Sequence, residues 1–285
     1  DLRKKGYVAD EEIGTALYLA EDLKKPILIE GKAGVGKTEI AHVLARVRGM
    51  ELIRLQCYEG LDSNSALYEW NYQKQILSLK IKEIRKDVNL ELVDFYTEEY
   101  LLYRPISKAL MSESPAVLLL DEIDRADEEF EALLLETLGE FQLTIPELGV
   151  ISAKSSPFVI LTSNRTRELS DALRRRCLYL WIDYPTYEKE LEVIQLKVPK
   201  IDLKLACQVA TFVQLLREES LSKTPGLSEA VDWTRALQSI GALELDDIIL
   251  TNTMGCLLKD KLDIDRFRKG AFQSVLNKAR DAKSL

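Results

Sequence analysis

Apolar and polar positions along the chain change period several times, and the changes mark its elements. From Glu11 to Lys24 the apolar residues Ile13, Ala16, Leu17 and Ala20 recur at helical spacing on one face, until Pro26 opens a short apolar run, Ile27-Leu28-Ile29. A glycine-rich stretch follows. Helical spacing then returns over Glu39 to Arg48, with Ile40, Val43, Leu44 and Val47 on one face and Gly49 as the stop. Four more short runs, Leu52–Leu55, Val117–Leu120, Phe158–Leu161 and Leu178–Ile182, have the length and continuous apolar character of strands buried on both faces. With helices between them they predict a five-stranded parallel α/β sheet.

Two stretches exceed what a simple alternation needs. Residues 58–110 are longer than one crossover helix and contain two charged helical portions, which predicts an insertion. Residues 141–156 carry Phe141 to Ile145 and Val150 to Ala153 on either side of Pro146-Glu147-Leu148-Gly149, the pattern of a hairpin. Beyond Asp183-Tyr184-Pro185 the strand signals end. Amphipathic helices broken near Pro199, Thr224-Pro225-Gly226 and Gly241 predict a second, all-α domain. The expected division is an α/β domain over 1–186 and a helical domain over 187–285.

Charge narrows the partners. The 39 basic residues against 47 acidic ones leave a net charge of −8, so no global positive field gathers phosphodiester backbone and nucleic acid is disfavoured. The cysteines, Cys57, Cys177, Cys207 and Cys256, are far apart and only one histidine, His42, is present, which argues against zinc and predicts small buried thiols in a reducing compartment. The first residues carry no apolar leader pattern, and eighteen uninterrupted apolar residues occur nowhere. A cytoplasmic protein without a membrane span is expected. Trp70, Trp181 and Trp233 are expected in the core or at an interface, and Lys80 to Lys86 on a solvated helix face.

The chemistry lies at the ends of the predicted strands. Gly31-Lys32-Ala33-Gly34-Val35-Gly36-Lys37-Thr38 satisfies G-x-x-x-x-G-K-[ST], and average residue usage yields that pattern by accident in about one chain in a hundred of this length. Its glycines let consecutive backbone N–H groups wrap a phosphate, and the following helix adds about half a positive charge at its start. Lys37 is expected to reach the β- and γ-phosphates of a nucleotide, and Thr38 to offer its hydroxyl to Mg²⁺. The buried run Val117–Leu120 ends in Asp121-Glu122, which is costly unless the carboxylates meet a cation and a water. Asp121 is expected to hold the Mg²⁺ shell and Glu122 to polarise the attacking water. Asn164 leaves the run Phe158–Leu161 where an amide can orient that water. Arg174-Arg175-Arg176, just before the last run, can present a guanidinium to a neighbouring subunit's γ-phosphate.

Together these motifs resemble the AAA+ P-loop ATPases over most of the chain. The resemblance implies that Asp121-Glu122 is the Walker B pair, Asn164 sensor 1, Arg176 or Arg175 the arginine finger, and Arg235 the sensor 2 arginine of a small all-α lid. It also places Tyr7 and Val8 near the adenine. Within AAA+, Gln56-Cys57-Tyr58-Glu59-Gly60-Leu61 and Ala66-Leu67-Tyr68-Glu69-Trp70-Asn71-Tyr72 are similar to the MoxR family and its CoxD-like branch. The long stretch 58–110 then corresponds to a helix-2 insert and 141–156 to a pre-sensor-1 hairpin. The resemblance implies a hexameric ring that hydrolyses ATP with Mg²⁺. It further implies a chaperone role alongside a partner with a von Willebrand factor A domain, acting on a client metalloenzyme in cofactor insertion. The alternative is an AAA+ ATPase of nucleic-acid machinery, of the clamp-loader or helicase-loader type. A GTPase needs N-K-x-D, and Asn277-Lys278-Ala279-Arg280 has arginine where the acid belongs. In a small-molecule kinase, Glu122 and the helical lid would stand where the acceptor must bind.

Overall fold

The structure, a computed structural model, describes residues 2–84 and 95–282. Part of the expected insertion over 58–110, and the end of the charged run at Lys80 to Lys86, lie outside the described residues. The chain divides into two compact units, one of Asp10–Glu30 with Ala41–Trp181, the other of Asp1–Ala9, Gly31–Ile40 and Ile182–Leu285.

The first unit is built on the sheet. In chain order its elements are α1 (Glu11–Asp22), β1 (Ile27–Gly31), α2 (Lys37–Arg48), β2 (Leu52–Gln56), α3 (Ser63–Ala66), β3 (Tyr68–Trp70) and α4 (Tyr72–Ile84). They continue with β4 (Leu101–Tyr103), α5 (Pro105–Leu110), β5 (Val117–Asp121), α6 (Glu128–Glu140), β6 (Gln142–Ile145), β7 (Gly149–Ser152), β8 (Phe158–Ser163), α7 (Asp171–Arg176) and β9 (Leu178–Ile182). The five-stranded parallel sheet has the order β2-β5-β8-β1-β9. Two of the three interior strands explain their apolar runs: β1 and β5 are buried at every position, including the acids Glu30 and Asp121. Because β1 lies between β8 and β9 while the chain continues to β2 at the edge, the strand order reverses beside the end of β1. That is where α/β sheets open a crevice for ligands.

Residues 58–110 contain α3, α4 and α5 together with a two-stranded antiparallel ribbon in which Tyr68 faces Tyr103 and Trp70 faces Leu101. The ribbon had no counterpart in the sequence pattern, since three residues per strand are too few to show a period. Trp70 is buried there, edge-on to Tyr68 and Tyr96. A second ribbon pairs β6 with β7, with Ile145 facing Gly149 across the turn. Gly149 takes φ +80°, the left-handed conformation that the tight turn demands.

In the second unit the helices are α8 (Tyr187–Lys197), α9 (Leu203–Arg217), α10 (Leu227–Ser239), α11 (Asp247–Leu257), α12 (Lys261–Lys269) and α13 (Phe272–Arg280). Aspartates at the N-caps of α9, α11 and α12 accept backbone N–H groups of the first turns, so each start is specified locally. Phe212, Trp233 and Phe267 pack ring against ring in the core, and the Trp233 indole donates to the Thr253 hydroxyl at 2.9 Å. Asn277 to Arg280 form the end of α13 and so do not make a guanine-reading loop. Among the described residues no helix is long and apolar enough to cross a membrane.

A buried ion pair ties α8 to α9. Glu190, fully buried, accepts from Arg217 at 2.6 and 2.8 Å and from Gln214 at 2.7 Å, while Arg217 also donates to the Pro225 carbonyl and lies 4.7 Å over the Tyr184 ring. Burial raises the Glu190 carboxyl above its ordinary value, with Arg217 pulling the other way. A carboxyl raised in the folded state favours folding most when protonated and loses that advantage as pH climbs through its folded value. Arg217→Met removes the opposing charge, so the variant is expected to lose about 3–5 kcal/mol near neutral pH. Part of the loss is recovered as pH falls toward the carboxylate range. Urea melts at several pH values read both the size and the sign.

Candidate active site

The phosphate-loop sequence lies in the helical unit. It leaves β1 at Gly31, where a Cβ would stand 2.0 Å from the Ile182 carbonyl oxygen, so only glycine fits. Gly34 and Gly36 take φ +74° and +94°, again the left-handed region. Val35 is buried and anchors the loop, whereas Ala33 is exposed at its crest. Lys37, first residue of α2, curls back so that its ammonium donates to the carbonyls of Gly31 at 2.9 Å and Lys32 at 2.7 Å. The loop is thus closed as a ring around the amine, and Thr38 follows on the first turn of the helix.

What meets this loop is the start of α10. The Ser228 N–H donates to the Gly34 carbonyl at 3.1 Å, and a Cβ on Gly226 would come within 2.7 Å of the Ala33 oxygen. Glu229 reaches back to the Gly226 N–H at 3.0 Å and also accepts from the Ser228 hydroxyl. Arg235 is seven residues further along α10, about 10 Å down its axis from Ser228. There it is half-exposed and paired with Asp232 at 3.1 Å. Tyr7 lies near Gly36, its ring 3.9 Å from where a Cβ would be, and Val8 packs with Val193, Val198 and Val231.

The acidic pair lies in the sheet unit. Asp121 ends β5 with its side chain 3% exposed, and its two oxygens are held separately. One accepts from the Thr162 hydroxyl at 2.6 Å; the other accepts from Arg54, at 2.6 Å from Nη2 and 3.1 Å from Nε. The same Thr162 oxygen accepts the Glu122 N–H at 2.9 Å. A single hydroxyl therefore fixes both acids, and it does so at a residue with φ +56°, where the chain turns sharply off the strand. The Glu122 carboxylate accepts from the Gln56 amide at 3.0 Å and Arg125 at 3.1 Å on one oxygen, and from the Asn164 amide at 3.4 Å on the other. Asn164 and Glu122 are thus brought together.

Asp124, buried, accepts the backbone N–H groups of Asn164 and Thr166 and the Thr166 hydroxyl, which pins the turn carrying Asn164. Arg54, Gln56, Thr162, Arg125 and Asp124 were not assigned roles from sequence. For two of them a signal existed: β2 alternates buried and exposed positions, with Arg54 and Gln56 the polar pair on its exposed face.

The arginine cluster ends α7. Arg174 lies 5.8 Å over the Tyr179 ring, and the Arg176 guanidinium rests against α6, 2.6 Å from where a Cβ on Gly139 would stand. Arg175 is exposed. His42 is exposed on α2, and Cys57 and Cys207 are buried. Burial pushes the Cys57 thiol up to about 12, helped by the nearby Asp121 charge, and burial alone does the same to Cys177. Neither thiol is poised for nucleophilic chemistry.

Within the sheet unit, Asp121 offers the kind of donor a hard divalent cation takes, since Mg²⁺ is usually bound by one or two carboxylates together with waters and substrate phosphates. Asp121, buried, already faces one cation, the Arg54 guanidinium.

Comparison with known proteins agrees with this geometry. The family model for the AAA domain, dynein-related subfamily, matches residues 26–177, more than half of the chain. An uncharacterized protein of Staphylococcus aureus strain bovine RF122 / ET3-1 is 28% identical, covering 89% of this chain and 90% of that protein. Another, from Staphylococcus haemolyticus strain JCSC1435, is 27% identical over 92% of this chain and 94% of its own. Among solved structures, the Thermotoga maritima RuvB Holliday junction branch migration motor superposes with a TM-score of 0.54 at 21% identity, covering 98% of this chain and 80% of that one. That likeness bears on the fold alone, an AAA+ P-loop fold of five parallel strands with a helical C-terminal region. The chain belongs to the AAA domain family, in its dynein-related subfamily.

Proposed function

We propose that the chain is a Mg²⁺-dependent ATP hydrolase that works as a homo-oligomeric ring, with 1–186 as its nucleotide-binding domain and 187–285 as its lid. The observation that carries the reading is the arrangement around Glu122, a carboxylate oriented by Asn164 and Gln56 and set one residue beyond a second, cation-facing carboxylate. Loop amides of Gly31 to Thr38 and the Lys37 ammonium hold the phosphates, Asp121 and Thr38 hold the metal's water shell, and Glu122 takes the proton of the attacking water. Mg²⁺, when bound, neutralises charge that develops on the transferring phosphoryl group. Asn164 positions the water, Arg175 or Arg176 completes a neighbour's site, and Arg235, Tyr7 and Val8 complete the nucleotide pocket.

Within the family we place the chain with MoxR-type ATPases of the CoxD-like branch, which makes it a chaperone that activates a client, in metal-cofactor insertion into a metalloenzyme. The segments Gln56 to Leu61 and Ala66 to Tyr72, the elements of 58–110 and the β6–β7 ribbon support that reading. The second reading, a machine acting on nucleic acid, shares its fold with the RuvB motor but sits poorly with a net charge of −8.

Capture experiments separate the two. With ATP, Glu122→Gln protein is expected to assemble into closed rings and to retain, from cell extract, a partner with a von Willebrand factor A domain or a metalloenzyme. Retention of replication or recombination proteins in their place would overturn the chaperone reading, and a chain that stays monomeric at micromolar concentration with ATP would overturn the ring.

A further inference from the structure

Strand β2 runs parallel to β5 with Arg54 beside Leu119 and Gln56 beside Asp121. Two residues apart on one face, Arg54 and Gln56 both turn toward the acidic end of β5. The Arg54 guanidinium puts two N–H groups on the same Asp121 oxygen and a third contact, at 2.5 Å, on the Gln56 amide oxygen. Asp121 is almost wholly buried, at 3% exposure, whereas the Arg54 side chain is 47% exposed. The pair is therefore asymmetric: one partner is locked in the sheet, and the other can leave into water. A desolvated carboxylate needs a cation, and the fold supplies one in the Arg54 guanidinium.

We propose that Arg54 is the resident counter-cation of Asp121 and makes divalent-ion binding conditional on nucleotide. This rests on the reading of Asp121 as the carboxylate that orders Mg²⁺. In the nucleotide-free chain both Asp121 oxygens are engaged, and a dication brought to them meets a guanidinium a few ångströms away. On that reading a bound triphosphate brings several negative charges to the metal, after which guanidinium and dication are tolerated together or the half-exposed Arg54 side chain turns away into water. The empty site therefore stays closed to the metal, and nucleotide and metal enter as a unit.

Mn²⁺ is the probe, its unbound fraction read by electron paramagnetic resonance on nucleotide-free protein. Arg54→Met, and Arg54→Gln, which keeps an N–H donor beside Asp121 but no charge, are expected to bind Mn²⁺ at least about tenfold more tightly than the unmodified chain, within the ordinary range of site-to-site coupling. Arg54→Lys restores the weak binding because it restores the charge. Adding ADP narrows the gap between Arg54→Gln and the unmodified chain. The proposal is overturned if neither neutral variant gains affinity in a form that melts as cooperatively as the unmodified chain. It is overturned equally if the gain persists in an Arg54→Gln/Asp121→Asn double variant. The underlying reading fails by a different sign, Asp121→Asn hydrolysing ATP at the unmodified rate.

Discussion

Glu122→Gln binds ATP with nearly unchanged affinity and hydrolyses it about 10²–10⁴-fold more slowly, the usual contribution of a positioned general base. The substitution swaps one carboxylate oxygen for an amide nitrogen and leaves the shape of the side chain intact. Its backbone, tied to Thr162 at the turn off β5, has no reason to move. The new amide cannot accept a proton from water, and its N–H₂ would face the Gln56 amide or Arg125 where an acceptor is needed. Ground-state binding is expected to survive because the phosphate loop uses its own backbone and Lys37. Fluorescent-nucleotide titration reads the affinity and a single-turnover assay reads the chemical step. Hydrolysis at the unmodified single-turnover rate would remove Glu122 from the role of base.

The parts of this molecule that could be read from sequence are those whose signal is local. The interior strands announce themselves because a strand covered on both faces must be apolar, as Ile27–Ile29 and Val117–Leu120 are; the edge strands β2 and β9 depart from that expectation, since with a neighbour on one side only they leave Arg54, Gln56 and Tyr179 exposed. The phosphate loop is equally local, since wrapping a phosphate demands glycine and lysine at fixed offsets. The network around the acids depends on register between distant strands. Arg54 reaches Asp121 only because β2 lies beside β5, 67 positions later in the chain, and nothing in Leu52–Gln56 alone says which strand its exposed face will adjoin. Thr162 shows the same limit: its hydroxyl is ordinary until β8 places it next to β5.

The start of α10 on the phosphate loop was beyond reach for a related reason. Ser228 and Gly34 are separated by 194 positions, and the arginine on that helix carries the sequence signal, whereas the serine makes the observed contact and Glu229 holds the start of the helix that presents it. Arg235 remains part of the proposed site, and its pairing with Asp232 is a weak, exposed ion pair that a phosphate can displace at little cost.

Arg176→Ala, or Arg175→Ala if that residue is the finger, lowers turnover by about 10³–10⁵-fold, the range for a guanidinium supplied in trans to a γ-phosphate. The three arginines are not equivalent in the structure. Arg174 is half-buried and lies over the Tyr179 ring, whereas Arg175 and Arg176 are both exposed, with the Arg176 guanidinium resting beside Gly139 on α6. A cis role would make the defect a property of each chain; a trans role makes it a property of each interface. Mixing decides between them. A Lys37→Ala subunit cannot use its own loop but still carries its arginines, and the arginine variant has an intact loop. In a random one-to-one mixture, about a quarter of the interfaces in a closed heterologous ring join an intact loop to an intact arginine. Activity is therefore expected to rise from near zero in either pure variant toward that fraction of the unmodified rate, with its maximum at equal proportions. If assembly of the mixed rings is confirmed and no ratio restores turnover for either arginine, the site is complete within one chain. In that case the cluster ending α7 serves only to hold the edge of the sheet unit together.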